Sequence, residues 1–146
     1  MANLILKFDG GSRGNPGIGG SGFVIIDCST GNTILEGYKY LGDNITNNVA
    51  EYNGLLMGLE NLSSIYTNDK TVIEQLYIQG DSLLIINQMI GKFKVNAPGL
   101  IDLYMKCMGI FKTFKSIEFV HIKRDLNKDA DRLANIAMTS KSSLVR

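Results

Sequence analysis

Three segments with the alternating pattern of β-strands precede the first helical segment of this chain, and that order excludes most fold classes. Apolar side chains occupy every second position over residues 3–9, and further strand-like runs follow over 21–29 and 33–42. The sequence TGN separates the second run from the third, and such a short turn is typical of a hairpin. The chain is therefore predicted to begin with an antiparallel strand meander.

Helical and strand patterns alternate over the rest of the chain. The predicted helices cover 47–64, 81–91, 100–114 and 127–141, and the predicted strands cover 73–80 and 116–124. The resulting order, β-β-β-α-β-α-α-β-α, predicts an α/β fold with a five-stranded mixed sheet and helices on both faces. The segments 10–20 and 66–72 are predicted loops, and residues 142–146 are predicted to be a frayed tail.

The composition is that of a folded domain. With 146 residues, of which 45% are hydrophobic and 20% charged, the chain is expected to form one domain over residues 1–146. It has no run of about 18 apolar residues and no secretory signal pattern, so no membrane partner is expected. Cys28 and Cys107 match no metal-binding spacing, and they are expected to be reduced, buried thiols of an intracellular protein.

The charge is divided unevenly along the chain. Residues 1–75 carry four Lys/Arg and eight Asp/Glu, whereas residues 76–146 carry eleven Lys/Arg and six Asp/Glu. An acidic half joined to a basic half suits a metal site beside a polyanion. Chance asymmetry on solvated surfaces is the other explanation, and charge alone does not decide between the two.

Four carboxylates fall at the ends of predicted elements, namely Asp9, Glu51, Asp81 and Asp131. Each has an ordinary explanation: in chain order, a turn residue, a capping-box acid, a helix N-cap and an acid beside a helix dipole. The topology nevertheless brings all four to one edge of the sheet. Clustered carboxylates raise one another's pKa, and a divalent cation removes that cost. Since Mg²⁺ prefers oxygen ligands, the pattern predicts a metal site suited to chemistry at phosphorus.

Longer motifs surround these carboxylates. In chain order they are FDGGSRGNPGIGGSGFVI, TNNVAEYNGLLMGLE, IQGDSLLIINQMIG and HIKRDLNKDADRLANIA. Together they resemble type 1 ribonuclease H over about residues 3–139, and most of all the short branch with an R-x-x-N-x-x-A-D signature. Any one motif alone is weak, but the set is specific. The resemblance implies a ribonuclease H-like fold with residues 3–139 as its catalytic core.

The resemblance also implies an activity, namely endonucleolytic cleavage of the RNA strand of RNA–DNA hybrids that leaves 5′-phosphate and 3′-hydroxyl ends. It implies that Asp9, Glu51, Asp81 and Asp131 are catalytic residues and ligands of two Mg²⁺ ions, for which Mn²⁺ substitutes. One ion would orient and deprotonate the attacking water, and the other would stabilise the leaving 3′-oxygen. The 2′-hydroxyl would distinguish RNA from DNA.

The expected substrate contacts follow the same motifs. Backbone groups of Gly11 and Ser12 are expected near the RNA ribose, and Lys92 and Lys94 along the phosphate backbone. Arg124 is favoured near the cleaved phosphate because its planar fork suits phosphate oxygens, with a surface ion pair to Asp125 or Asp129 as the alternative. The predicted substrate-binding set is Gly11, Ser12, Asn15, Asn47, Asn48, Ser82, Arg124 and Asn127, the last also as the cap of the final helix.

The chain departs from bacterial-type members of the family in three places. Its one histidine, His121, lies in strand alternation and is expected to be a strand residue rather than their catalytic loop histidine. Only residues 92–99 stand where those members carry a basic protruding helix. Val49 and Leu83 replace residues that are often basic and polar, respectively. Grip on the substrate is therefore expected to be weaker or to come from a partner, although no protein partner is evident.

Three other functions stay open at the level of sequence. The same fold and metals could act on another duplex, such as double-stranded RNA. A non-catalytic nucleic-acid-binding module is the second alternative, although such a module has no need of four retained carboxylates. An unrelated phosphatase would need a D-x-D pattern after a strand, and the D-x-D of this chain, at 129–131, begins a helix instead.

Overall fold

The strands form one mixed sheet. The computed structural model describes residues 2–69 and 73–146, and within them six strands lie in the order β5-β4-β1-β2-β3-β6. β4 runs parallel to β1 and to β5, and the other neighbours are antiparallel. The strands are β1 Ala2–Arg13, β2 Gly17–Asp27, β3 Thr33–Ile45, β4 Ile73–Gly80, β5 Ile117–His121 and β6 Leu144–Val145.

Helices cover both faces of this sheet. They are α1 Asn47–Asp69, α2 Leu83–Met89, α3 Pro98–Phe111 and α4 Lys128–Ser140, with a short 3₁₀ turn at Arg124–Leu126. α1 packs on β1 and β2 and is backed by α3, whereas α4 packs on the opposite face of β1, β2 and β3. The predicted α/β class, the mixed sheet and the helices on both faces are confirmed. No helix in the described part of the chain is both long and apolar enough to span a bilayer.

The main core lies between the sheet and α1. Leu6 and Phe8 of β1 and Phe23 of β2 alternate with residues of the other face, and all three are fully buried against Tyr52 and its neighbours. α1 approaches the sheet closely because Gly54 and Gly58 lack side chains, as their spacing predicts. A Cβ on Gly54 would lie 2.4 Å from the Asp9 carbonyl oxygen. The sheet and α1 are therefore in backbone contact beside Asp9.

The β1–β2 hairpin is longer than predicted. Ladder pairs continue from Gly10 opposite Ser21 to Arg13 opposite Ile18, which leaves only residues 14–16 outside the strands. The prediction of a loop over 10–20 was wrong because its glycines were taken as turn residues. Ladder hydrogen bonds need only backbone groups, and the glycines here make room for the packed helices.

The end of the chain and one cysteine also differ from prediction. Residues 144–145 form β6, which pairs with β3, and Glu36 and Arg146 exchange backbone hydrogen bonds of 2.9 Å. The predicted frayed tail is thus a sixth strand. Cys107 is buried as expected, but Cys28 is exposed. In the predicted loop 66–72, α1 continues through Asp69 and residues 70–72 lie outside the described residues.

Candidate active site

Three carboxylates meet where β1, α1 and β4 converge. Asp9, Glu51 and Asp81 each offer an oxygen, and these oxygens all lie within 4.8 Å of one another. Asp9 is only 5% exposed and Glu51 only 8%. Carboxylates are seldom buried so deeply unless something compensates their charge. Asp131 lines the same cleft, of about 440 Å³, but is not a member of this close group. The opening lined by these four residues is called the acidic cleft below.

The fold places each of these side chains by a different contact. β1 and β4 are parallel neighbours, with Phe8 opposite Gly80, so the residues that follow, Asp9 and Asp81, lie side by side. Glu51 reaches the same point because α1 begins against Gly10, where an added Cβ would lie 2.2 Å from the Ala50 carbonyl group. Parallel strand ends and one close helix contact therefore assemble the group.

The ordinary explanations for Glu51 and Asp81 do not hold in the structure. The Thr46 hydroxyl accepts a hydrogen bond from the Val49 amide and caps α1, so Glu51 is not a capping-box acid. The Ser82 hydroxyl accepts from the Ile85 amide and is the N-cap of α2, so Asp81 is not the cap either. Neither carboxylate is therefore needed to cap the helix beside it.

The group is electrostatically unfavourable when it is fully ionised. Burial, together with the charge of Asp81, raises the pKa of Asp9 to about 7. The hydrogen bond that the Gly10 amide donates to Asp9 at 2.9 Å opposes this rise. Burial, then the charges of Asp9 and Asp81, also raise the pKa of Glu51 well above its usual value. In addition, Glu51 Oε2 is buried and accepts no hydrogen bond from the described residues.

This donor set fits a divalent metal ion. A buried oxygen that lacks a hydrogen bond costs about 1–3 kcal/mol, and more when it is charged, and a bound cation would satisfy it. A cation would also lower the raised pKa values that clustering and burial produce. All the ligands are carboxylate oxygens, which suit hard ions such as Mg²⁺ and Mn²⁺ rather than softer metals. The cluster could therefore hold a metal.

Asn127 is part of the support for the site. Its side chain is fully buried, and its amide donates to the Phe8 carbonyl at 2.8 Å and to Asp81 Oδ2 at 3.1 Å. The backbone carbonyl of Asn127 accepts from the Asp131 amide at 3.1 Å, and the side chain makes no capping hydrogen bond to α4. Asn127 is thus the N-cap residue of α4 as predicted, but without a side-chain cap bond, and its side chain is buried away from the surface at which a substrate would bind. Asn127 instead links β1, Asp81 and α4 from inside the protein.

The other predicted substrate residues lie around the acidic cleft, but several bind one another. The Ser12 amide donates to Asn47 Oδ1, and the Asn47 amide donates to Asn15 Oδ1, each at 2.9 Å. These bonds join the β1–β2 turn to the start of α1. Gly11, Ser12, Asn47, Ser82 and Arg124 line the acidic cleft, Asn15 and Asn48 line an adjoining groove, and Lys92 and Lys94 lie exposed between α2 and α3.

His121 and Arg124 occupy different positions relative to the carboxylates. His121 is the last residue of β5, as predicted for a strand residue, and its Nε2 lies 3.2 Å from the Asp81 carbonyl oxygen. Arg124 begins the 3₁₀ turn and lines the acidic cleft, where its charge opposes the rise in the pKa of Glu51. The charge of Arg124 thus acts on the buried carboxylate of Glu51.

Sequence reasoning missed two polar residues of the cleft wall. Arg13 and Asn135 line the acidic cleft with Asp131. Arg13 stands within the quoted SRGNPG stretch, and Asn135 follows Asp131 at the i+4 spacing that places both on one helix face. These signals were available, but only the packing of the hairpin tip against α4 makes them meaningful.

Comparison with known proteins agrees with this fold. The family model described as reverse transcriptase-like matches residues 7–137. Bifunctional protein Rv2228c from Mycobacterium tuberculosis is 37% identical over 135 residues, which are 92% of this chain and 35% of that protein. Ribonuclease HI from Halobacterium salinarum is 34% identical over 131 residues, which are 90% of this chain and 62% of that protein. The crystal structure of LC11-RNase H1 in complex with RNA/DNA hybrid matches with a TM-score of 0.87 and 41% identity, covering 95% of this chain and 99% of that one.

These matches extend over nearly the whole fold, including the strands and helices that carry the carboxylates. The chain belongs to the reverse transcriptase-like family, in its type 1 ribonuclease H branch. The resemblance seen in the sequence motifs is thereby confirmed. The chain spans about a third of the length of the first curated relatives that it matches, so the similarity concerns one part of those proteins.

Proposed function

We propose that this protein is an endonuclease that hydrolyses the RNA strand of RNA–DNA hybrids and leaves 5′-phosphate and 3′-hydroxyl ends. The observation that carries the proposal is the close group of the buried Asp9 and Glu51 with the half-buried Asp81, together with an orphaned Glu51 oxygen, in a chain of this family. A relative with 41% identity has been crystallised with an RNA/DNA hybrid, which supports the choice of substrate.

In this proposal Asp9, Glu51, Asp81 and Asp131 hold two Mg²⁺ ions, for which Mn²⁺ substitutes. When bound, the ions supply an activated water nucleophile and neutralise the charge that develops at the phosphate. The four carboxylates serve as ligands only when they are deprotonated. Because the pKa of Asp9 is raised to about 7, its proton competes with the metal near neutral pH. Activity is therefore expected to rise as the pH rises through that value.

The rest of the cleft would orient the substrate. The guanidinium of Arg124 would bind an oxygen of the cleaved phosphate from the rim of the acidic cleft. Gly11, Ser12, Asn47 and Ser82 would contact the RNA strand, where the 2′-hydroxyl distinguishes RNA from DNA. Asn15 and Asn48, in the adjoining groove, would contact the second strand. Lys92 and Lys94 would add contacts to phosphates beyond the cleft.

A duplex panel tests this function. One labelled sequence is presented as RNA–DNA hybrid, double-stranded RNA, double-stranded DNA and a DNA duplex with a single ribonucleotide, each in Mg²⁺, in Mn²⁺ and in EDTA. We expect internal cuts in the RNA strand of the hybrid in either metal, none in EDTA, and none from Asp9→Asn. Preferential cleavage of double-stranded RNA would replace the substrate. Hybrid binding without cleavage in either metal would make the protein a binding module.

A further inference from the structure

The fourth carboxylate, Asp131, is held differently from the other three. It is half-buried on α4 and stands outside the close group of oxygens. Asn135, one turn later on the same helix, donates through Nδ2 to the Asp131 carbonyl at 3.0 Å and to Asp131 Oδ1 at 3.4 Å. The orientation of the Asp131 carboxylate therefore depends on which way the Asn135 amide points.

Arg13 determines that direction. Its Nη2 lies 3.3 Å from Asn135 Oδ1 and is anchored by a 2.8 Å hydrogen bond to Thr139 Oγ1. A guanidinium has only donors and stays charged, so it can form a hydrogen bond only with the oxygen of the amide. The reversed amide would place donor against donor at Arg13 and oxygen against oxygen at Asp131. Arg13 thus selects the orientation that turns the Asn135 N–H groups toward Asp131.

The backbone fixes Arg13 at this place. Arg13 ends β1 at the hairpin tip, and a Cβ on Gly17 would lie 2.0 Å from the Arg13 carbonyl oxygen, so the tip can be this tight only with glycine there. Arg13, Asn135 and Asp131 all line the acidic cleft. The contacts therefore form a continuous path along one wall, from the tip of the sheet to the fourth carboxylate.

We propose that Arg13 and Asn135 are positioning residues that hold the Asp131 carboxylate in the orientation needed to bind metal. The catalytic meaning of this inference rests on the proposed function, but the effect on metal affinity does not require turnover. Both residues are exposed, so each contact is weak and the effect is graded rather than absolute.

The sign of the effect separates positioning from simple charge. Removal of a cation near a cation site strengthens binding if only Coulomb forces act. Positioning predicts the opposite, because loss of Arg13 frees the Asn135 amide and with it Asp131. Arg132→Met is the matched control. It removes the same charge from the residue next to Asp131, but its guanidinium pairs with Glu36 at 3.5 Å rather than with Asn135.

The experiment is a calorimetric titration of the intact protein with Mn²⁺, without nucleic acid, after thermal melting has confirmed that each variant is folded. We expect Arg13→Met and Asn135→Ala each to weaken Mn²⁺ binding about three- to tenfold, which is at or below the usual range of about 10- to 100-fold for residues that orient a metal ligand, because both side chains are exposed. The double variant should be no weaker than Asn135→Ala alone, since both act on one carboxylate. In an Asp131→Asn background, neither substitution should have an effect, and Arg132→Met should not weaken binding in any background.

Several outcomes would overturn the inference. Unchanged or tighter Mn²⁺ binding by Arg13→Met would leave only a charge effect, and additive losses in the double variant would mean independent roles. A loss of hybrid affinity in EDTA that persists in the Asp131→Asn background would make Arg13 a phosphate contact instead. If the unsubstituted protein binds Mn²⁺ and shows the expected pattern but cuts no hybrid, the proposed function fails while the positioning roles stand.

Discussion

At the scale of single residues, the acidic cleft brings buried carboxylates together, and their ionisation is unfavourable in the folded protein. Asp9 and Glu51 are buried together, and the pKa of each is raised chiefly by that burial. The unfolded chain pays no such cost, because there the same groups ionise near their ordinary pKa values. The stability of the metal-free protein therefore depends on pH in a direction that can be stated in advance.

The first prediction concerns Asp9→Asn. Between the ordinary pKa of 3.8 and the raised value of about 7, the native protein keeps a proton on Asp9 that the unfolded chain has released. The free energy of unfolding should therefore fall as the pH rises over this window, and the penalty is complete above it. In EDTA, urea denaturation should find the variant more stable than the unsubstituted protein at pH 8, by a margin that shrinks toward pH 5. Cleavage should be lost. A margin that does not change with pH would refute the explanation.

The second prediction compares two rim residues. Arg124 lines the acidic cleft, whereas His121 lies at an exposed strand end with its Nε2 against the Asp81 carbonyl oxygen. Arg124→Ala should lower kcat by about tenfold or more, which is the loss of one charged contact to the phosphate of about 1.5–3 kcal/mol. His121→Ala should lower it less. The reverse order in steady-state assays on a hybrid would show that the histidine, not the arginine, serves the reaction.

At this scale the sequence predicted that Asp9, Glu51 and Asp81 gather, but not that Asp131 stands outside their close group, nor how Asn127 is used. Asp9 and Asp81 follow strand patterns, so parallel pairing alone predicts that they meet. The buried amide of Asn127 bonds Phe8, which is far away in the sequence. Local patterns contain no information about such a contact, and a polar residue before a helix is most simply predicted to be a cap.

At the scale of elements, one close contact sets the distance between α1 and the sheet. Gly54 faces the Asp9 carbonyl so closely that a methyl group would lie 2.4 Å from its oxygen. Glu51 lies one turn earlier on the same helix, so the separation of the two buried carboxylates depends on this contact. Spacing of the glycines predicted the approach, but only the structure shows that it occurs beside the buried Asp9.

The third prediction tests that contact with a pair of identical substitutions. Gly54→Ala should destabilise the protein by about 1–3 kcal/mol, as overpacking does, and weaken Mn²⁺ binding because α1 must move away from β1. Gly109→Ala is the control, since Gly109 lies on α3 with nothing within 4 Å of its added Cβ. That change should stabilise the helix by up to about 1 kcal/mol and leave metal affinity unchanged. Equal effects of the two in urea denaturation would contradict the packing argument.

Helices and strands were predicted well where a local sequence pattern specifies them, and poorly where pairing with a distant strand specifies them. The helical stripe of α1 and the alternation of β1 are properties of short windows. By contrast, Gly10 and Gly11 become strand residues only because β2 lies opposite them, and residues 144–145 become β6 only because the edge of β3 is open to them. No window of ten residues contains that information.

At the scale of the whole molecule, a bound metal and the fold should stabilise each other. The fourth prediction is that Mg²⁺ raises the Tm at pH 8, because it binds the native cluster and not the dispersed carboxylates of the unfolded chain. The rise should be smaller at pH 6, where protons occupy Asp9, and absent in Asp9→Asn. Scanning calorimetry in buffers of matched ionic strength separates the rise in Tm caused by Mg²⁺ binding from a general salt effect. An equal rise in the variant would mean that Mg²⁺ acts elsewhere.

The four carboxylates come from β1, α1, the β4–α2 junction and α4, and Asn127 ties three of these places together. No single element contains more than one of them, so the four meet only when these elements pack together. An incompletely folded chain would therefore lack the complete site that the proposed cleavage needs. In the proposed function, full hydrolytic activity would require α4 docked beside the other three carboxylates, so cleavage would report completed folding.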